Sequence, residues 1–117
     1  MTCRILPFAL LMSVLAGTPA LAHATLESEA PSAGAVLGAG PSSVFLSFSE
    51  ELLPAMSGVA VTDASGHSFA AHPVHVDGQV MMLALPRLAS GKYHVAWHAV
   101  SLDTHRSEGG YDFTIKP

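Results

Sequence analysis

One cysteine stands in the whole 117-residue chain, at position 3. That count excludes an intrachain disulfide and a cysteine-rich metal site. Charge is also scarce. Five Lys and Arg stand against nine Asp and Glu, for a formal net charge of −4. This is the wrong balance for a protein that grips nucleic acid by neutralising phosphates. At 50% hydrophobic and 12% charged, the chain is too apolar and too weakly charged for intrinsic disorder. There is no Gly-rich phosphate loop, no H-E-x-x-H, no G-x-S-x-G and no EF-hand spacing. No internal repeat, linker or low-complexity segment interrupts the chain. What it has in excess is histidine: seven, against five Lys and Arg together.

The apolar excess is concentrated in the first 22 residues. Arg4 supplies a positive start, Ile5 to Gly17 is almost wholly apolar, and Ala20-Leu21-Ala22 forms an A-x-A cleavage site. Those parts, in that order, read as an export signal over residues 1–22. The run is too short to span a bilayer as a helix. Cys3 precedes the apolar run and leaves with the signal, so it does not serve as a lipid anchor. The expected mature chain is one domain, residues 23–117, with no cysteine and a formal charge of −5. It works in an exported, oxidising space without a disulfide, so burial alone must hold it together. Its first residue becomes His23.

The body lacks any long stretch of 3.6 period. Short alternating runs are split by Gly, Pro, Ser and Asp. Val44, Leu46 and Phe48 alternate, and Val59 and Val61 follow Leu53-Pro54-Ala55. Asp77-Gly78 between His75-Val76 and Val80 to Leu85 signals a hairpin. Tyr93, Val95 and Trp97 share one face, as do Tyr111, Phe113 and Ile115. About seven strands at regular spacing predict an all-β fold, an antiparallel β-sandwich or Greek-key barrel. The predicted core is Val44, Leu46, Phe48, Val59, Val61, Leu83, Leu85, Tyr93, Val95, Trp97, Phe113 and Ile115.

Histidine points to metal chemistry. An amino-terminal His23 carries two donors, its α-amine and its imidazole Nδ1, which close a six-membered chelate ring on one ion. Two neutral nitrogens in a plane suit Cu(II), which prefers tetragonal N and O donors. In Ser101-Leu102-Asp103-Thr104-His105, an extended backbone would turn Asp103 and His105 the same way, toward one ion, while the polar run Asp103 to Gly110 reads equally as a surface turn. Glu50 ends an apolar strand and is a candidate axial oxygen or acceptor for an imidazole N–H. His94 and His98 are four apart, roughly 13 Å along a strand, too far for joint ligation. His67, His72 and His75 fall in or near turns and read as solvated. Met56, Met81 and Met82 are possible soft ligands, although Met81 and Met82 must face opposite sides of a strand.

Several segments together resemble the CopC family of periplasmic copper-resistance proteins along essentially the whole mature chain. They are His23-Ala24, Glu29-Ala30-Pro31-Ser32-Ala33-Gly34, Pro41 to Glu50, Gly91 to Trp97, Val100 to His105, and Gly110-Tyr111-Asp112-Phe113. The resemblance implies a cupredoxin-like (Ig-like) sandwich that carries copper without redox catalysis. It implies one Cu(II) held by the amine and imidazole of His23 with Asp103 and His105, and Glu50 beside them. It also implies an inner-membrane partner, CopD. Some members hold Cu(I) in a methionine-rich loop, but the stretch from Thr62 to Pro73 has no methionine, so such a site would lack its thioethers. Two rival readings differ in class. One is an oxidative enzyme with a histidine copper brace, and the other is a metal-free Ig-like module.

Overall fold

A computed structural model describes residues 23–69 and 74–117. The expected signal (residues 1–22) and His72 lie outside the described residues. Eight strands follow one another: β1 Leu26–Ala30, β2 Val36–Leu37, β3 Ser43–Phe48, β4 Gly58–Asp63, β5 His75–Asp77, β6 Val80–Ala84, β7 Gly91–Val100 and β8 Arg106–Ile115. A single 3-10 turn, Pro54–Met56, precedes β4. They form two four-stranded sheets, ordered β1-β3-β6-β5 and β2-β8-β7-β4.

The predicted sandwich is present, with two departures. The second sheet is mixed, because β2 runs parallel to β8. The sequence also gave no sign of β1 and β2. β1 reads Leu-Glu-Ser-Glu-Ala, an edge strand with no residue fully buried and hence no apolar alternation to detect. β2 is only two residues long.

Alternation governs the paired strands. Val44, Leu46 and Phe48 are fully buried while Phe45 between them is exposed. Met81 is fully buried and Met82 exposed, on opposite sides of β6 as strand geometry requires. Most of the predicted core is buried. Leu85 and Trp97 are the exceptions, only partly covered yet packed against the rest. The core also takes in Ala99, which extends the Tyr93-Val95-Trp97 face, and Ala24, Leu52 and Leu88, whose local sequence carries no alternation. Across the sandwich, Phe48 meets Trp97 edge-on at 5.1 Å between ring centroids, and within the second sheet Tyr93 stacks on its β8 partner Phe113 at 5.4 Å. Such pairs add about 0.5–1.5 kcal/mol beyond area burial.

The hairpin predicted at Asp77-Gly78 forms one residue later. Asp77 still pairs with Val80, so the loop is Gly78-Gln79. Gly78 has φ 59°, while Gln79 is not left-handed, the pattern of a II′ turn with glycine first. Gly110 answers to a different constraint. A Cβ there would lie 2.8 Å from the Val95 carbonyl oxygen, so only glycine lets β7 and β8 approach this closely.

Candidate metal centre

Three passages of chain meet at one end of the sandwich. The first is the stretch before β1. Leu26 pairs with Phe48, so residues 23–25 continue past the end of β3. The second is the stretch after β3, where Leu52 bridges Ser101 and the Leu53 N–H donates to the Val100 carbonyl at 2.8 Å. The third is the connection from β7 to β8, residues 101–105, whose Leu102 N–H reaches the Glu51 carbonyl at 3.2 Å. Residues distant in sequence therefore share one rim.

That rim brings His23 and His105 together. Their imidazole centroids lie 5.4 Å apart at an interplanar angle of 75°. His105 Nδ1 lies 3.0 Å from Asp103 Oδ2. With Nδ1 so engaged, Nε2 of His105 is the nitrogen left available as a donor. The other Asp103 oxygen accepts from the Ser101 hydroxyl and, at 3.4 Å, from the His105 N–H. These contacts, the Ser101 hydroxyl first and the His105 ring next, hold the Asp103 carboxyl down at about 2. Asp103 is therefore an anion at any pH near neutrality.

Of the two local geometries the sequence left open, extended or turn, the segment takes the turn. Residues 103 to 105 are not extended. They form a tight turn in which Thr104 takes φ 71° and its N–H donates to the Ser101 carbonyl at 2.8 Å. The turn closes with the Ser101 N–H on the His105 carbonyl at 3.0 Å. A left-handed residue folds Asp103 and His105 toward each other, where an extended backbone would have aligned them by alternation. The polar stretch from Arg106 to Gly110, which also resembles loop sequence, is the first half of β8, paired with β7 as far as Val100.

Glu50 is half-buried and lines one shallow depression with Glu51, Ser101, Leu102 and Asp103. It makes no hydrogen bond or ion pair with His23, Asp103 or His105. Among the described residues, no three His, Cys, Asp or Glu side chains already converge on one point as a metal cage. The expected donor set includes a main-chain amine, which no grouping of side chains contains.

Sequence reasoning gave Ser101, Ser107 and Ser49 no role, yet these serines shape the site. Ser101 is 2% exposed and orients Asp103. Its spacing two residues before Asp103 is the only local signal of this. Ser107 Oγ donates to the Ala24 carbonyl at 2.7 Å, and Ser49 Oγ accepts from the Thr25 N–H at 2.8 Å. Both contacts span long stretches of sequence and leave no mark on it.

The other described histidines have partners elsewhere in the fold. His94 Nδ1 pairs with Asp112 Oδ1 across β7 and β8 at 2.6 Å, and the two join Lys92 on the outer face. His98 covers Gly58, whose absent side chain leaves room for the ring. His67 packs edge-on against Phe69 at 4.9 Å. His75 lies in β5 and not in a turn. Met56 is exposed, on the 3-10 turn before β4.

Fold and rim together define a class: a small two-sheet sandwich that gathers imidazoles and a carboxylate from distant segments at one end. Residues 26–116 match the CopC domain, and the chain belongs to the CopC family. The match begins three residues after His23. Protein YobA of Escherichia coli K12 is 33% identical over 121 residues, covering 98% of each chain. The crystal structure of CopC from Methylosinus trichosporium OB3b superposes with a TM-score of 0.75 at 32% identity, covering 81% of this chain and 95% of that one. The structure of PcoC, a methionine-rich copper resistance protein from Escherichia coli, superposes with a TM-score of 0.70 at 36% identity, covering 81% of this chain and all of that one. No helix among the described residues is long and apolar enough to cross a membrane.

Proposed function

We propose that this CopC-family protein binds copper for resistance or homeostasis, and that it holds one Cu(II) at the rim between its two sheets. The observation that carries this reading is the placement of the His23 imidazole 5.4 Å from that of His105, which is itself tethered to the Asp103 carboxylate. With the chain cut before His23, the α-amine and imidazole of that residue give two nitrogens. His105 gives a third and Asp103 an oxygen, with Glu50 in a supporting or axial place. Three nitrogens and an oxygen match the donor preference of Cu(II). A carboxylate fixed as an anion offsets the charge of a divalent ion, and the negative body of the protein attracts cations to it.

The protein stores the ion or passes it on. It works in the periplasm after loss of residues 1–22, with a membrane transporter of the CopD kind as recipient. A carrier suits the site better than an oxidative enzyme does, because the anionic carboxylate beside His105 fills a position that a copper-brace enzyme must leave open to oxygen. The body has three methionines, Met56, Met81 and Met82, and Met81 is buried, so a thioether cluster for Cu(I) is not part of this reading.

Cu(II) electron paramagnetic resonance on exported protein, with its amino terminus verified as His23, tests the assignment. The spectrum should show three nitrogen donors, falling to two in His105→Ala. A spectrum unchanged by that substitution would place the ion elsewhere.

A further inference from the structure

A chain end beginning at His23 should fray, since the first residues of a domain are poorly ordered unless something ties them down. Here something does. Ala24 is 1% exposed, although its neighbours His23 and Thr25 are both exposed. Its methyl group joins the core and its carbonyl oxygen accepts the Ser107 hydroxyl at 2.7 Å. On the other side, the Thr25 N–H reaches Ser49 Oγ and the Ser49 N–H reaches the Thr25 carbonyl, each at 2.8 Å. The terminal residues are thus wedged between the sheets, held by Ser49 past the end of β3 and by Ser107 in β8.

The two ties are not equivalent. Ser49 follows β3, which carries no imidazole of the site. Ser107 lies two residues after His105, at the start of β8, opposite Ala99 of β7. Among the described residues, the Ser107–Ala24 contact is the one hydrogen bond joining the amino-terminal residues to the strand that follows directly from His105. Ser49 Oγ also donates to the His23 carbonyl, at a longer 3.4 Å, but the Ser107–Ala24 bond is the one that ties the terminal residues to the His105 side of the rim, and so it governs how far His23 stands from His105.

Resting on the copper reading above, we propose that Ser107 is a positioning residue for the metal. It does not touch the ion. By clamping the Ala24 main chain it presents the amine and imidazole of His23 to the His105–Asp103 pair before copper arrives. Binding then need not order a loose terminus, and affinity gained in this way is the general benefit of preorganisation. The small side chain of Ala24 is part of the device, because a larger one could not occupy this fully covered place without lifting His23 away.

The test compares Ser107→Ala and Ser107→Thr with the unsubstituted exported protein. The readouts are Cu(II) affinity by competition titration, the Cu(II) resonance spectrum, and the thermal midpoint of the copper-free form. Loss of one neutral hydrogen bond that holds the donors in place predicts an affinity about 3- to 10-fold weaker in Ser107→Ala. Its spectrum should show a fraction of copper with fewer nitrogen donors. Ser107→Thr keeps the hydroxyl and should restore both. A merely structural serine would lower the midpoint and leave the spectrum of the folded protein alone. Native affinity and spectrum in Ser107→Ala, or failure of the threonine to rescue, would overturn the role of Ser107 while the copper site stood. Absence of copper from the unsubstituted protein would instead overturn the site and this role together.

Discussion

A single residue added ahead of His23 should abolish most of the effect of copper on stability while leaving the fold untouched. The added residue turns the α-amine into an amide and removes one donor and the chelate ring. Room for it exists, because His23 is exposed, while the anchoring burial belongs to Ala24 and the anchoring hydrogen bonds use the carbonyls of His23 and Ala24 and the Thr25 main chain, not the His23 amine. The copper-free variant should therefore match the native protein within about 0.5 kcal/mol, as surface changes generally do. With copper at 100 times its dissociation constant, the native protein gains about 2.7 kcal/mol. For a domain of this size that is a rise of roughly 11–22 °C in the thermal midpoint. If the extension weakens binding 100-fold, the same copper concentration adds only about 0.4 kcal/mol, or roughly 2–3 °C. Thermal unfolding followed by far-ultraviolet circular dichroism, with and without copper, measures both numbers. An extended protein that rose as far as the native one would show that the amine of His23 is not a ligand.

Protons compete with metal for nitrogen donors, so Cu(II) affinity should be weaker at pH 5 than at pH 7.5, and equal titrations would refute nitrogen ligation. The copper-free fold should weaken in acid for a separate reason. Asp103 is held at about 2, chiefly by the Ser101 hydroxyl, and Asp63 and Asp112 are held low by Ser65 and His94 respectively. Carboxyls lowered by folding contribute stability that is complete above the unfolded value near 3.9 and is lost as pH falls through the folded value. The denaturation midpoint should therefore drop between pH 4 and pH 2, and a flat profile would contradict these contacts. Phe48→Ala removes a fully buried ring that meets Trp97 and should destabilise the fold by about 3–5 kcal/mol in denaturant unfolding; a loss below 1 kcal/mol would mean that the core closes over the gap.

Much of the molecule was legible in the residues themselves. Alternation at Val44, Leu46 and Phe48, and again at Tyr93, Val95 and Phe113, gave the strands and the side each one buries, because side-chain direction along a strand has period two whatever its partner. Asp77-Gly78 announced a hairpin, placed one residue early, because glycine tolerates the left-handed backbone its turn requires. β1 escaped notice because an edge strand with no fully buried residue has no reason to alternate. Ala24, Leu52 and Leu88 escaped because isolated residues enter the core through tertiary position and not through a pattern.

The candidate site divides along the same line. The residues themselves marked His23, Asp103, His105 and Glu50 as candidates, since donor chemistry belongs to the side chain, and the resemblance to the CopC family joined them into one set. Their convergence is another matter. Positions 23 and 105 meet only because β1 pairs with β3 on one sheet, β7 turns into β8 on the other, and both ends close over the same rim. The serines that hold this arrangement act across tens of residues, and a hydrogen bond of that span depends on the folded path of the chain. Local sequence therefore supplied the candidate donor types and most of the strands, and packing of two sheets decided which candidates stand together.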